Sequence, residues 1–282
     1  MQENSIYIPK YELINRSTMI DLRNNGGYQP AHWHSALEIT CLLRGKAEMI
    51  REGRRHAMIE GEFLTIDSGR IHEIRCPHDC TYLVIHIDDE YISSFIENRN
   101  NFQIVCERTS LTGETVGCYL EICDALRKLA DFYVKRRQGY MLECESLILH
   151  ILFLLISNFS IPLSRDNPPE PSKDQRRIRE IVSYIAVNYS KSLTLDEISS
   201  HFGLSNEYFS RFFTQKLGIP FKKHLNQVRM SHIYHDLCTT DAPIMEIADM
   251  HGFTNYKLFN RMFREIYGTT PREMRRRISR IT

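Results

Sequence analysis

Residues 194–218 read TLDEISSHFGLSNEYFSRFFTQKLG, and residues 243–268 read PIMEIADMHGFTNYKLFNRMFREIYG. The second segment nearly repeats the first at an offset of 49 to 50 residues. In each copy, apolar positions with a helical period lead into a glycine-containing turn and a second apolar helix. The sequence therefore predicts two helix-turn-helix units in tandem. The matching positions are Leu195, Ile198, Gly203 and Leu204 with Ile244, Ile247, Gly252 and Phe253, then Phe209, Arg211, Phe213 and Gly218 with Phe259, Arg261, Phe263 and Gly268.

Signals for helix starts agree with these units. Thr194 with Glu197 and Thr270 with Glu273 are capping-box pairs, and Pro243 is expected to open the second unit. The polar positions of each second helix are expected to face outward, where such a helix can enter a DNA major groove. Arg and Asn also match the hydrogen-bonding edges of guanine and adenine. The predicted DNA-contacting residues are Asn206, Glu207, Ser210 and Arg211 in the first unit, and Tyr256, Lys257, Asn260 and Arg261 in the second.

Charge is unevenly distributed along the chain. From Lys173 onward there are 18 basic and 11 acidic residues, a net charge of +7, whereas residues 1–172 hold 18 basic and 24 acidic residues, a net charge of −6. A basic surface attracts phosphates, and an acidic one repels them. Double-stranded DNA is therefore the predicted partner of the C-terminal half.

The stretch from Ile178 to Arg276 resembles the DNA-binding domain of AraC/XylS-type bacterial transcription regulators. The resemblance implies two subdomains joined by a long helix, here at about residues 221–237, which places two recognition helices in successive major grooves. It rests on three motifs of the second unit, I-x-x-I-A-x-x-x-G-F, F-x-R-x-F and G-x-x-P-x-x-x-R, carried by Ile244, Ile247, Ala248, Gly252, Phe253, Phe259, Arg261, Phe263, Gly268, Pro271 and Arg275.

The N-terminal half has a different pattern. Short β-rich runs at residues 37–43, 47–51, 63–66 and 82–87 alternate with turn residues, which is typical of a small barrel or jelly roll. A double motif along these runs resembles that of cupins, although Asp67 and Cys76 replace its usual Pro and Asn. The motif is carried by Gly26, His32, Trp33, His34, Glu38, Gly45, Gly61, Gly69 and His72.

Residues two apart on a strand face the same side, so His32 and His34 are expected to converge with Glu38 and His72 inside the barrel. Three interpretations are open. The four side chains can bind a divalent transition metal such as Zn, Mn, Fe or Ni. They can bind a hydroxylated or anionic small-molecule effector, such as a sugar or related metabolite, as sensor domains of the resembled family commonly do. They can also simply hydrogen-bond one another.

Two amphipathic helices are predicted after the barrel, at residues 115–136 and 140–158. The apolar stripe of the first, with Leu120, Leu126, Leu129 and Tyr133, is expected to meet a second protomer or to complete the barrel core, and a homodimer is the favoured outcome. Residues 147–156 are too few to span a bilayer, so no membrane partner is expected. A Pro-rich linker at residues 164–174 separates residues 1–163 from residues 175–282.

The fold class predicted is a multidomain chain. It has an N-terminal cupin-like β-barrel followed by helices, and a C-terminal all-α tandem helix-turn-helix domain. Eight scattered cysteines favour reduced thiols, and no signal peptide is recognised, so a cytoplasmic location is expected. The predicted function is that of a transcription regulator controlled by an effector, and not of an enzyme. Two alternatives are a metal-dependent cupin enzyme fused to a DNA-binding module and a dimeric DNA-binding protein without an effector.

Overall fold

The computed structural model describes residues 12–15, 17–24, 27–51, 53–76, 80–163 and 172–278. Residues 164–171 of the predicted linker lie outside the described residues, as does Gly26 of the cupin pattern. The predicted linker is also too long at its C-terminal end, because a helix already begins at Lys173.

The strands of the N-terminal half form two larger antiparallel sheets and one two-stranded sheet. Within the described residues the strands are β1 (Glu12–Asn15), β2 (Thr18–Arg23), β3 (Gly27–His32), β4 (Ala36–Arg44), β5 (Lys46–Arg51), β6 (Arg54–Ile59), β7 (Phe63–Ile66), β8 (His72–Cys76), β9 (Thr81–Asp88), β10 (Phe102–Ile104) and β11 (Ser160–Pro162). One larger sheet has the order β1-β2-β9-β4-β7, and the other larger sheet has the order β3-β8-β5-β6; β10 and β11 pair with each other. The four predicted runs are confirmed as β4, β5, β7 and β9. The barrel thus brings β3, β4, β8 and β9 together around its interior.

Three helices follow the barrel: α1 (Asp89–Ser93), α2 (Gly113–Lys135) and α3 (Tyr140–Phe159). Leu126 and Leu129 of α2 are fully buried in a core shared with the barrel and α3, whereas the side chain of Leu120 is 57% exposed. The core interpretation of the stripe is therefore confirmed for Leu126 and Leu129. Their placement in a dimer contact was wrong, because a fully buried side chain cannot reach a second protomer.

Helix α3 alone, among the described residues, is long and apolar enough to cross a membrane by length and composition. The apolar run at residues 147–156 is too short to span a bilayer, but the helix that contains it has 20 residues. Ile148, Ile151 and Leu155 are buried in the core shared with the barrel and α2, so one face of α3 packs within the fold.

The C-terminal half is helical. Its helices are α4 (Lys173–Asn188), α5 (Leu195–His201), α6 (Asn206–Leu217), α7 (Phe221–Thr239), α8 (Ile244–Met250), α9 (Tyr256–Tyr267) and α10 (Pro271–Ile278). Helices α5 and α6 form the first predicted unit, α8 and α9 form the second, and α7 is the predicted linking helix. Each unit has its own apolar core.

Strand β3 packs against the helical half. All six of its residues are buried, and α7, α4 and α9 contact it. Ala31 belongs to the core of the first unit, and Tyr28 belongs to the core of the second. One strand of the barrel therefore contacts both helix-turn-helix units.

Cysteine pairing differs in part from the sequence expectation. The sulfur atoms of Cys76 and Cys80 are in contact, with the Cα atoms 5.9 Å apart, so this pair is placed to form a disulfide, whereas the sequence favoured reduced thiols. The separation of four residues places both cysteines at the β8–β9 connection. The other six cysteines take no part in a disulfide.

Candidate DNA interface and candidate ligand cluster

The first helix-turn-helix unit is fixed by a capping box at its start and a glycine in its turn. Glu197 N donates to Thr194 Oγ1 over 3.2 Å, and Thr194 N donates to Glu197 Oε2 over 2.7 Å, which confirms the predicted box. Gly203 in the turn has φ +63°, a conformation that glycine adopts without steric cost. Phe209 and Phe213 are fully buried and hold α6 in the core of the unit.

The second unit has equivalent parts. Pro243 caps α8 as predicted, Gly252 in the turn has φ +79°, and the side chain of Asn255 accepts a backbone hydrogen bond at the start of α9. The predicted box before α10 is also present, since Glu273 N donates to Thr270 Oγ1 over 3.2 Å. The repeat seen in the sequence is therefore a repeat of local structure.

The second helix of each unit presents side chains to solvent. Arg211 on α6 and Arg261 on α9 occupy equivalent positions, and both are exposed. Glu207 and Lys257 form a second equivalent pair, and they are exposed as well, as is Tyr256. Five of the eight predicted DNA-contacting side chains thus reach the surface on the two helices. Their contact with bases stays a prediction.

The other three predicted side chains are less accessible. Asn206 accepts a hydrogen bond from Ser199 Oγ over 2.5 Å and donates one to Asp196. These contacts cross from α6 to α5, so Asn206 holds the two helices together, and its contact with a base stays a prediction. Asn260 donates to a backbone carbonyl one turn earlier, and Ser210 is half-buried.

A polar network joins the two units. Arg229 on α7 donates to the carbonyls of Tyr189 and Lys191, both over 2.7 Å, just after the end of α4. The Tyr189 hydroxyl lies 3.1 Å from His251 Nδ1, and His251 Nε2 lies 2.7 Å from Asp236 Oδ2. Because His251 lies in the turn of the second unit, these contacts hold the units in one relative orientation.

The four predicted ligand residues do come together in the barrel. Glu38 lies on β4, and His72 begins β8 opposite His32 of β3. His34 lies just beyond the end of β3, so the expectation that both histidines share one strand was wrong. Their rings nevertheless lie close, with centroids 5.8 Å apart. The ligand atoms of all four residues are within 4.8 Å of one another.

Glu38 is the centre of this cluster. Its Oε2 lies 3.0 Å from His34 Nε2, 3.1 Å from His72 Nε2 and 2.9 Å from the Nε2 of a fifth residue, His86 on β9. Thr40 Oγ1 donates to the other carboxylate oxygen over 2.5 Å. Three imidazoles therefore face a single buried oxygen.

Burial decides the protonation of these groups. It lowers the pKa of His34 to about 4, and with His72 and His34 nearby it lowers the pKa of His32 well below its usual value. Burial opposes ionisation of Glu38, but the surrounding histidines, His72 first, hold its pKa well below the usual range. Burial likewise opposes the charge on His72, whose pKa the Glu38 carboxylate nevertheless raises. At neutral pH, Glu38 is thus ionised, and His32 and His34 are neutral.

A neutral imidazole carries only one N–H, yet His34 has an acceptor at each nitrogen. Its Nδ1 lies 3.0 Å from the Ala36 carbonyl, and its Nε2 lies 3.0 Å from Glu38. If Nδ1 donates to the carbonyl, the Nε2 lone pair faces the carboxylate, which is unfavourable without a cation between them. Nδ1 of His72 has the same kind of partner, the Arg70 carbonyl.

This arrangement fits a divalent metal ion. A backbone acceptor at Nδ1 leaves Nε2 available as the ligand, which is usual for metal-binding histidine. Ligand bonds of about 2.0–2.2 Å place neighbouring ligand atoms roughly 3.0–3.5 Å apart, and the three Nε2–Oε2 distances lie in or close to that range. The donor set of the cluster suits such a metal, and its Nε2–Oε2 distances also suit hydrogen bonds among the same side chains.

His32 has a competing partner. The side-chain nitrogen of Gln29 lies 2.8 Å from His32 Nε2, and because His32 Nδ1 lies 2.9 Å from the Pro30 carbonyl, Nε2 is the acceptor of this hydrogen bond. The structure thus places His86 closer to the centre than His32. His86 was missed in the sequence, because it carries no motif and reaches Glu38 only through the pairing of β4 with β9.

Two parts of the chain match known domain families. Residues 19–86 match the cupin domain, and residues 198–277 match a helix-turn-helix domain. These intervals cover most of the barrel and most of both helix-turn-helix units. Proteins similar over most of the chain are named HTH-type transcriptional regulators. The chain therefore combines an AraC-type helix-turn-helix domain with a cupin domain, as predicted. The names are those of regulators, in agreement with the prediction that the chain is not an enzyme.

One relative, YdeC of Bacillus subtilis (strain 168), is 22% identical to this chain over 258 residues. The match covers 88% of this chain and 87% of YdeC. A regulator of Staphylococcus aureus (strain MSSA476), SAS0078, is 22% identical over 242 residues, which are 86% of this chain and 31% of the relative. The chain thus spans about a third of the length of the S. aureus relatives that it matches.

A solved structure has the same two-domain fold. The apo structure of a ToxT variant from Vibrio cholerae strain SCE256 matches with a TM-score of 0.52 and 13% identity, over 93% of this chain and 97% of ToxT. At that identity the likeness shows the fold alone.

Proposed function

We propose that this AraC-type chain is a sequence-specific transcription regulator that binds double-stranded DNA through α6 and α9. The observation that carries the proposal is the pair of equivalent exposed arginines, Arg211 and Arg261, on two equivalent helices of 12 residues each. An arginine on a recognition helix can bind guanine through two hydrogen bonds. The net charge of +7 from Lys173 onward supports binding to phosphates. A DNA-binding regulator of this kind works in the cytoplasm.

Arginine substitution tests this function. A DNA fragment is first selected from random oligonucleotides with the unmodified chain. Arg211→Ala and Arg261→Ala are each expected to weaken binding by about 1–3 kcal/mol and to relax specificity in one half-site only. Arg127→Ala, an exposed arginine on α2, is the matched control and should bind normally. Unchanged affinity in the double Arg211/Arg261 variant would contradict the proposal.

The barrel cluster is the proposed effector site. We infer that Glu38, His34, His72 and His86 hold a divalent transition metal, with His32 able to join once Gln29 moves away. When bound, the metal supplies a Lewis-acidic centre to which a polar effector, such as a sugar or related metabolite, can bind. The support is the geometry of the cluster, in which Nε2 of His34, His72 and His86 lie 3.0, 3.1 and 2.9 Å from the same oxygen of Glu38. The chain's own residues would position the metal and exclude water from it.

Metal analysis tests the cluster. The unmodified chain is expected to retain about one metal ion per chain after dialysis against Zn²⁺ or Mn²⁺ and then metal-free buffer, with a raised melting temperature. Glu38→Gln and His86→Ala should lose the ion, whereas His150→Ala should not, because His150 is exposed and paired with Glu121. Normal metal content in His86→Ala would remove it from the ligand set. Turnover of a substrate by the loaded chain would instead support the cupin-enzyme alternative.

A homodimer remains the proposed assembly, but through a different surface. Val116 and Leu120 lie one turn apart on α2 and are 41% and 57% exposed, and Phe153 on α3 is 62% exposed. Glu121 and His150 bring the two helices together beside these residues, with 2.9 Å between Oε1 and Nε2. An exposed apolar face of this kind favours contact with a second copy. The dimer would deliver two DNA-binding domains to adjacent sites.

A further inference from the structure

Trp33 separates His32 from His34 in the chain and lies against the DNA-binding half. Its indole Nε1 is within hydrogen-bonding distance of two acceptors on α4, the Arg179 carbonyl at 3.2 Å and Ser183 Oγ at 3.1 Å. Its ring also packs against the apolar core of the first helix-turn-helix unit. Trp33 thus contacts α4 through its side chain and is joined by one peptide bond to each of His32 and His34.

The guanidinium of Arg179 on α4 makes two further contacts near the ligand cluster. It lies over the Trp33 ring, 5.3 Å from the ring centroid, and against Gly69, where a Cβ would come within 2.5 Å of it. Gly69 N donates in turn to the carbonyl of His34 over 2.7 Å. Helix α4 therefore touches both segments that fix the backbone of His34.

A change at the cluster can reach the DNA-binding half along this route. Binding of an ion by His34 and Glu38 changes the forces on His34, and Trp33 is its direct neighbour in the chain. Protein interiors are closely packed, so a shift of the indole displaces α4 instead of being absorbed. Helix α4 supplies Ile178, Ile181 and Ile185 to the core that also holds α6.

We propose that Trp33 couples the ligand cluster to the first DNA-binding unit, so that a metal ion in the barrel alters DNA affinity through the contact between Trp33 and α4. This rests on the proposed function, because it requires both a metal site and a DNA site. Coupling between two binding sites is reciprocal. DNA must therefore change the affinity for the metal by the same factor as the metal changes the affinity for DNA.

The test measures this factor in the full chain, with Zn²⁺ as the probe. The Kd for Zn²⁺ is determined with and without a saturating DNA fragment selected by the unmodified chain. We expect the two values to differ by at least about fivefold, the lower end of typical coupling. Trp33→Phe keeps an aromatic ring but removes the N–H. In this variant, the ratio of the two Kd values for Zn²⁺ should fall to within about twofold of one, while the affinity for Zn²⁺ alone and the affinity for DNA alone stay near normal. Tyr119→Phe, in the core between the barrel and α2, is the matched control and should keep the full ratio.

Two variants on α4 keep the proposal testable if Trp33→Phe does not fold. Ser183→Ala and Arg179→Gln leave the cluster intact and should each lower the ratio. Trp33 is the only tryptophan of the chain, so its fluorescence is also expected to change when Zn²⁺ binds. A ratio of one in the unmodified chain, with both ligands bound, overturns the coupling and leaves the proposed function standing. Failure of that chain to bind DNA or Zn²⁺ contradicts both, and a full ratio in all three variants overturns the role of Trp33.

Discussion

The turn glycines of the two units have the same position in the repeat but different surroundings. A Cβ added to Gly203 would meet nothing within 4 Å, whereas one added to Gly252 would lie 2.8 Å from the Ser190 carbonyl oxygen and 3.0 Å from the Arg229 guanidinium. Arg229 is held by two backbone carbonyls at 2.7 Å, so it cannot move aside without losing hydrogen bonds. The same substitution at the two glycines should therefore have unequal effects.

The size of the difference follows from these contacts. Alanine in the left-handed region costs about 1–2 kcal/mol, and Gly203→Ala, with φ +63°, should lose only that amount of stability. Gly252→Ala bears the same backbone cost and also overpacks the junction, which adds about 1–3 kcal/mol. We therefore expect Gly252→Ala to lose about 2–5 kcal/mol in total.

Urea denaturation of the full chain, followed by far-ultraviolet circular dichroism, measures the two losses. Gly203→Ala serves as the matched control, because the residue type, the turn and the sign of φ are the same. The transition of the helical half should move to lower urea in both variants, and further in Gly252→Ala. Equal shifts would refute the packing of the second turn against the segment that follows α4.

Two further predictions concern His224 and the dimer surface. Burial lowers the pKa of His224 to about 4, so between pH 6.5 and 4 the unfolded chain binds a proton that the native chain does not. The free energy of unfolding should fall as the pH drops below 6.5, by roughly 2 kcal/mol at pH 5. In urea titrations at pH 7.5 and pH 5, the His224→Leu variant should lack this part of the loss. An identical pH dependence in the unmodified chain and the variant would contradict the prediction. In sedimentation, Leu120→Glu should give a folded monomer. Leu142→Glu, at a more exposed site in the first turn of α3, should give a normal dimer, and Leu129→Glu should unfold the core. A dimeric Leu120→Glu variant would exclude this surface.

Local signals made the helical half predictable. The glycine turns, the capping boxes and the helical spacing of Phe209 and Phe213 depend on residues within one or two turns of each other, so the sequence contains them directly. Strand β6, in contrast, reads RRHAMI and is mostly exposed, so it lacks the apolar alternation that identified β4 and β9. A strand was expected at His32, but β3 was not among the predicted β-rich runs, because it contains Pro30, a residue that counts against a strand. β8 was missed because HEIRC is mostly polar.

The residues of the candidate sites also divide into those that local sequence indicates and those that only long-range contacts bring into place. The spacing of His32, His34 and Glu38 is local, and it indicated the cluster. His86 faces Glu38 only because β9 pairs with β4 across 48 residues, a register that no local pattern specifies. The role of Asn206 depends on partners on α5, and that of Trp33 depends on contacts with α4, 146 residues away. Such long-range contacts become visible only in the folded chain.

The most direct test of the central claim is a hydroxyl-radical footprint of the full chain on a DNA fragment that it has selected from random sequences. Two recognition helices held in one orientation should protect two segments on the same face of the duplex, about 10 base pairs apart. Arg211→Ala should weaken one segment, and Arg261→Ala the other. A single protected segment, or no selected sequence at all, would contradict the account of a tandem DNA-binding domain.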